Sequence, residues 1–352
     1  MRALLIKMSS MGDVVHALPA VTDAAGHGVT FDWVVEEAFA DIPAMHPAVS
    51  DVIPIAWRRW RSSLFSSRGE LARFWEVLRR RRYDLVLDAQ GLVKSGVVAA
   101  MARGLTKAGY AYGSAREGAA ALAYRRRVVV ARDQHAIDRQ RELFAAAFGY
   151  RVPAELDYGI APPADQPGGG ANQCLLLHGT TWNSKHYPEH LWREVARRAR
   201  SAGLEVSLPW GSDAERARAQ AIATTGADVL PALNVAGLIA RLTPARLVVG
   251  VDSGLTHLSA ALGVPTVVIY GSTDSALTGC RGPSVRNLQA DFPCAPCLRR
   301  ECGYVGPEEI LHQEPVRPAC YSRVTPDAVW NAATRAMARD ERGAAPPGKP
   351  DP

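Results

Sequence analysis

Several things are missing from these 352 residues, and each absence closes off a class of function. No segment approaches eighteen uninterrupted apolar residues, so nothing reads as a membrane-spanning helix. The opening stretch MRALLIKMSS lacks a signal-peptide apolar core and reads better as a first strand, which leads us to expect a cytoplasmic protein. No G-x-G-x-x-G or G-x-x-x-x-G-K-[ST] run follows a strand, which argues against dehydrogenases and P-loop nucleotidases. Cysteine is scarce, six in all, and such thiols in the cytosol are most simply reduced. No internal repeat shows beyond a loose likeness between two α/β halves.

What remains is a soluble composition, 47% apolar and 22% charged, with length enough for two domains. The net charge of +6 is modest, but its arginines cluster, which favours an anionic partner.

The most informative stretch is Arg246 to Gly271. Leu247-Val248-Val249 is an unbroken apolar run, the mark of a strand buried on both faces. Asp252-Ser253-Gly254 then turns into a helix whose apolar face carries Leu255, Leu258 and Leu262, Gly263 closes it, and Pro265 to Tyr270 reads as the next strand. The turn offers free backbone N–H groups at a helix N-terminus, with Ser253, Thr256 and His257 in the first turn, a place suited to phosphate or carboxylate. On residue chemistry alone, Asp252 and Ser253 could equally be no more than caps.

In the N-terminal half, Arg2 to Lys7 is a strand followed by Ser9-Ser10-Met11-Gly12-Asp13, which places Asp13 where open α/β sheets hold their ligands. Pro19 is awkward inside the helix that follows, which should start late or bend there. Further strands are predicted at Val29–Val35, Val52–Ile55, Leu85–Asp88, Ala108–Tyr112 and Val128–Ala131, and their alternation with helices predicts a doubly wound parallel sheet. Arg79 to Arg82 ends a helix and reads as a solvated face. Arg58-Arg59-Trp60-Arg61 differs, because Trp57, Trp60, Leu64 and Phe65 interleave with the charges; such a stretch suits an anionic membrane surface better than nucleic acid.

The clearest boundary is Ala161 to Ala171, rich in proline and glycine. Beyond it, Cys174 to Leu177 is a new first strand, ending in a loop with the hydroxyls of Thr180 and Thr181 and the charge of Lys185. Glu215 stands at another helix start, after Leu208-Pro209. Cys294, Cys297, Cys302 and Cys320 could hold zinc, but the last spacing is loose, and reduced structural thiols are the stronger reading. A last helix runs from Thr325 to about Arg339, and residues 343–352 read as a disordered tail.

Four stretches resemble one family, the bacterial lipopolysaccharide heptosyltransferases, and in particular its heptosyltransferase I branch. They are Lys7 to Val14, Asp88 to Ser95, His178 to Pro188 and Val251 to Leu258. The resemblance runs from Met1 to about Arg339 and implies an α/β chain of GT-B fold, two Rossmann-like domains with parallel sheets facing across a cleft. The domains implied are residues 1–160 for the acceptor and 172–324 for the donor, with a linker at 161–171 and a helix at 325–339 packing back towards the first domain.

The function implied is inverting transfer of heptose from ADP-L-glycero-β-D-manno-heptose to the inner Kdo of Kdo2-lipid A, with the protein peripheral on the inner face of the cell inner membrane. By the same resemblance Asp13 is the general base and Lys185 steadies the leaving diphosphate. Donor contacts fall to Thr180, Thr181, Lys185, Glu215, Asp252, Ser253, Gly254, Leu255 and His257, and acceptor contacts to Ser10, Arg59, Arg61, Gln90 and Lys94. No D-x-D pair follows a strand in the expected place, so no metal and no cofactor are expected, the positive groups taking a metal's role. The alternatives are a sister enzyme adding the second heptose, a nucleotide-sugar 2-epimerase on the same fold, and a non-enzymatic nucleic-acid-binding module resting only on the arginines.

Overall fold

Short aliphatic strands alternate with helices twice over, and each set of six strands closes its own sheet. The computed structural model describes residues 1–62, 67–161, 170 and 172–343, with backbone only at 61, 62, 225 and 340–343. The chain divides into two units, Met1–Pro163 and Ala164–Pro352, within the proline- and glycine-rich stretch, of which 162–169 and 171 lie outside the described residues.

The first unit contains β1 (Arg2–Ile6), β2 (Thr30–Glu36), β3 (Val49–Ile55), β4 (Tyr83–Asp88), β5 (Gly104–Tyr110) and β6 (Arg126–Val128), all paired in parallel in the order β3-β2-β1-β4-β5-β6. The second contains β7 (Gln173–Leu177), β8 (Glu205–Leu208), β9 (Asp228–Val229), β10 (Leu247–Val251), β11 (Thr266–Tyr270) and β12 (Val285–Gln289), in the order β12-β11-β10-β7-β8-β9, again all parallel. Counted from the first strand of each sheet, both orders are 3-2-1-4-5-6, the doubly wound dinucleotide-fold order. The direction of winding reverses between β1 and β4 in one unit and between β7 and β10 in the other. A crevice opens beyond the carboxyl ends of the strands at such a point, so the fold alone names four loops as ligand-ready.

The strands earn their central places by being apolar on both faces: every residue of β7, β10 and β11 is buried. Each unit has its own core, one around Leu4, Ile6, Val86 and Val98, the other around Leu176, Trp192, Val249 and Ile269. The last helix, Pro326–Gly343, buries Val329, Ala332, Ala333 and Ala336 and packs on β10, β11, β12 and helix Glu189–Ser201. Of the tail expected to be disordered, residues 344–352 lie outside the described residues.

Two local expectations need correction. The helix after β1 starts at Met11 and runs through Pro19 to Ala25. The proline forfeits one helical hydrogen bond, and the buried face of Val14, Val15, Leu18 and Val21 outweighs that loss. Strand β5 and the edge strand β6 begin earlier than their apolar runs suggested, at Gly104 and Arg126. Pairing of Ala108 with Arg126 sets this register, and an edge strand tolerates exposed arginines that a central one does not.

Candidate functional site

At the first switch point the loops after β1 and β4 are stitched together. Gln90 Oε1 accepts from the backbone N–H of both Met8 and Ser9, at 3.0 Å each. Lys7 Nζ, buried, donates to the Ala89 carbonyl at 3.2 Å and stands 3.5 Å from Asp13 Oδ1. Asp13 Oδ2 accepts from the backbone N–H and the hydroxyl of Ser10, both at 2.9 Å. Lys94 Nζ reaches Ser9 Oγ at 3.5 Å. Four expected residues, Ser10, Asp13, Gln90 and Lys94, are thus gathered at one point, with Gln90 serving the backbone.

The Asp13 side chain is still 36% exposed. Burial pushes its carboxyl up, but the Lys7 ammonium and the Ser10 donors together outweigh that and hold it at about 2. An open carboxylate beside one buried lysine can take a proton from a hydroxyl.

The second switch point is built around Asp252, buried at the end of β10. Its Oδ2 accepts from Lys185 Nζ at 2.6 Å and Thr273 Oγ1 at 2.7 Å, and its Oδ1 lies 3.2 Å from His257 Nε2. Thr180 Oγ1 donates to the Asp252 carbonyl at 3.4 Å. Ser253 caps helix Gly254–Ala261, whose first turn presents the amides of Gly254 and Leu255. Glu215 Oε2 accepts from Gly211 N–H at 2.7 Å, and its Oε1 lies against Gly179, where any Cβ would meet it at 2.6 Å. Thr181 is exposed on the same loop as Lys185.

Sequence reasoning missed Thr273 and Cys280, which complete this network. Cys280 Sγ lies 3.1 Å from His257 Nδ1, so both imidazole nitrogens meet a partner. Burial depresses the His257 pKa, but Cys280 and Asp252 outweigh it and raise the imidazole to about 10. Asp252, though burial opposes its charge, is held well below the usual carboxylate range by His257 and Lys185. Both Asp252 oxygens are therefore occupied by cations or hydroxyls, and it organises the loop rather than collecting protons. Nothing in the sequence ties Cys280 to Asp252, since a helix and β11 separate them.

A raised imidazole makes a signed prediction. The stabilisation from charged His257 is fully present below its unfolded value of about 6.5 and is lost as pH rises through about 10. Cys280→Ala removes one partner, so the midpoint of that loss should move down towards neutrality, read by imidazole NMR titration and by melting temperature against pH. An unmoved midpoint would leave Cys280 without influence on the histidine.

Other expected residues sit differently. The Arg59 guanidinium is held between Glu37 and Glu70, at 3.1 and 2.7 Å, and Trp60 donates to Glu70 at 3.0 Å while packing on Phe74 in the core. The expected membrane-facing aromatic stretch is corrected in part: Trp60 is buried because its ring fills that core. The Arg61 side chain, Leu64 and Phe65 lie outside the described residues. Cys294, Cys297, Cys302 and Cys320 line one cavity of about 450 Å³. Among the described residues no three His, Cys, Asp or Glu side chains are arranged to hold a metal ion.

Two doubly wound units of six parallel strands each give this chain the GT-B architecture of glycosyltransferases. Residues 71–306 match the model of glycosyltransferase family 9 (heptosyltransferase), and the chain belongs to that family. It is 48% identical to lipopolysaccharide heptosyltransferase 1 of Pseudomonas aeruginosa, over 94% of this chain and 96% of that protein. It is 45% identical to the protein of the same name from Escherichia coli K12, over 80% and 94%. Among solved structures, E. coli heptosyltransferase WaaC with ADP superposes with a TM-score of 0.80 at 39% identity, covering 96% of this chain and all of that one.

Proposed function

We propose that this chain transfers L-glycero-D-manno-heptose from ADP-heptose to the inner Kdo of Kdo2-lipid A, with inversion, in building the lipopolysaccharide inner core. The observation that supports this reading most is the 48% identity to a protein named lipopolysaccharide heptosyltransferase 1, spanning nearly both whole chains. The geometry supplies a mechanism for it.

The acceptor hydroxyl attacks the anomeric carbon from the face opposite ADP, the glycosidic bond to the diphosphate breaks, and the proton passes to Asp13. A carboxyl held at about 2 is a weak base, so proton transfer comes late, after the oxygen has given density to carbon and become acidic. The departing diphosphate is met by Lys185, Thr180, Thr181 and the amides from Ser253 to Leu255. Lys185 reaches it by exchanging Asp252 for a phosphate oxygen, and Asp252 keeps His257 and Thr273 as partners. Glu215 accepts from the ribose hydroxyls. Gln90 fixes the loop that carries Ser10 and Asp13, and Lys94 offers a charge to the Kdo carboxylate. The protein works at the inner face of the cell inner membrane, where a lipid-borne acceptor lies.

Arg59 serves the acceptor by exchanging Glu37 or Glu70 for a sugar carboxylate or phosphate. Arg59→Ala should then raise the KM for Kdo2-lipid A several-fold and leave donor affinity alone, with added salt narrowing the difference because exposed charges are screened within about 10 Å at 0.1 M. If the acceptor KM does not move, the arginine only ties Glu37 to Glu70. The function itself is tested by mass spectrometry of the acceptor after incubation with ADP-heptose, where a gain of one heptose residue is expected.

A further inference from the structure

We infer that the sheet edge formed by helix Val93–Met101, the short helix Gly118–Ala123 and strands β5 and β6 docks on an anionic lipid surface. The inference rests on the reading of the acceptor as a lipid, and it locates the contact away from the Arg58–Arg61 stretch.

Helix Val93–Met101 buries Val98 and Ala99 against the first unit's core, yet Val93, Val97 and Met101 remain 46%, 47% and 43% exposed. Their spacing of four puts them in one stripe along the helix. The short helix packs beside it, with Gly96 fitted against Ala120, and adds Leu122 at 73% exposure. Scattered exposed aliphatics are ordinary, whereas a stripe continued onto the neighbouring element is a patch that something covers.

Charge says what covers it. From residue 95 to residue 131 there are six cationic side chains (Arg103, Lys107, Arg116 and Arg125 to Arg127) and one carboxylate, Glu117. That net of +5 is most of the formal net charge of +6 of the whole chain. Lys107 Nζ lies on the Ala100 carbonyl and Arg127 Nε donates to the Ala121 carbonyl at 2.9 Å, which sets these charges beside the stripe. An aliphatic ridge among cations is the chemistry of a surface that dips into anionic headgroups. Single-stranded nucleic acid would want open aromatic faces, and Tyr112, the one exposed aromatic here, has Arg127 over its ring at 5.1 Å; duplex would gain nothing from the aliphatic ridge. A second copy seated symmetrically on this face would bring two net-positive patches together.

The test is co-sedimentation of the full chain with phosphatidylglycerol/phosphatidylcholine vesicles and with phosphatidylcholine alone. Wild type should partition to the anionic vesicles, less so at high salt, and not to the neutral ones. The Val97→Asp/Leu122→Asp and Arg116→Glu/Arg125→Glu pairs should each lower partition at least about tenfold. All these side chains are exposed, so melting temperatures should stay near wild type. Transfer to a deacylated, water-soluble acceptor should be unchanged in both; its absence in wild type would count against the proposed function, not against this surface. The inference is overturned if wild type ignores anionic vesicles or if the aspartate pair binds them as wild type does. It is also overturned if light scattering shows a wild-type dimer that the aspartate pair dissociates, or if only duplex DNA is retained.

Discussion

Asp13→Asn should give a folded chain that binds ADP-heptose as wild type does and turns it over about 10²- to 10⁴-fold more slowly. The amide keeps the shape and can accept from the Ser10 N–H and hydroxyl, as Asp13 Oδ2 does at 2.9 Å. It cannot take up the proton. Because the carboxyl is held at about 2, Asp13 is ionised across any working pH, so the loss should be a constant factor from about pH 4 to 9 rather than a displaced acid limb. Stopped-flow or steady-state kcat against pH reads this directly, with calorimetry on ADP as the control for donor binding. A variant with near-wild-type kcat would remove Asp13 from the chemistry.

The second large effect is expected at Asp252, and it differs in kind. This carboxylate is buried and holds Lys185 and His257 together. Asp252→Asn leaves the buried His257 and the half-buried Lys185 without their counter-charge, a loss on the order of 3–5 kcal/mol from the second unit. The corresponding fall in melting temperature is on the order of 10 °C for a unit of this size. Donor affinity should fall with it, since Thr180, Lys185 and helix Gly254–Ala261 all take their places from this residue. Calorimetry and ADP titration thus separate the two aspartates: Asp13 sets rate with donor affinity intact, Asp252 sets stability and donor affinity together. Loss of kcat in Asp252→Asn with intact melting and intact donor affinity would reverse the assignment and make Asp252 the base.

The units and their switch points were legible because the signals are local. Apolar runs such as Leu247 to Val249, each followed at once by a turn with Gly, Ser or Asp, mark buried strands and helix starts without reference to the rest of the chain. Ser10, Asp13, Gln90, Lys94, Thr180, Lys185 and Asp252 all lie within a few residues of such strand ends. What stayed hidden depends on distance in sequence. Cys280 meets His257 only after a further strand, and Glu37 and Glu70 reach Arg59 from two other elements. In the arginine stretch charge and aromaticity stand together in sequence, whereas folding parts them: Trp60 goes inward and Arg59 pairs outside. Strand ends misled where valines invited a longer β6 than register allows.

Coupling of donor cleavage to a sugar acceptor is read by following ADP release from ADP-heptose with and without Kdo2-lipid A. Release is expected only when acceptor is present, one ADP for each lipid that gains a heptose. Donor consumed without acceptor, as a 2-epimerase or hydrolase would consume it, would show that this chain is no heptosyltransferase.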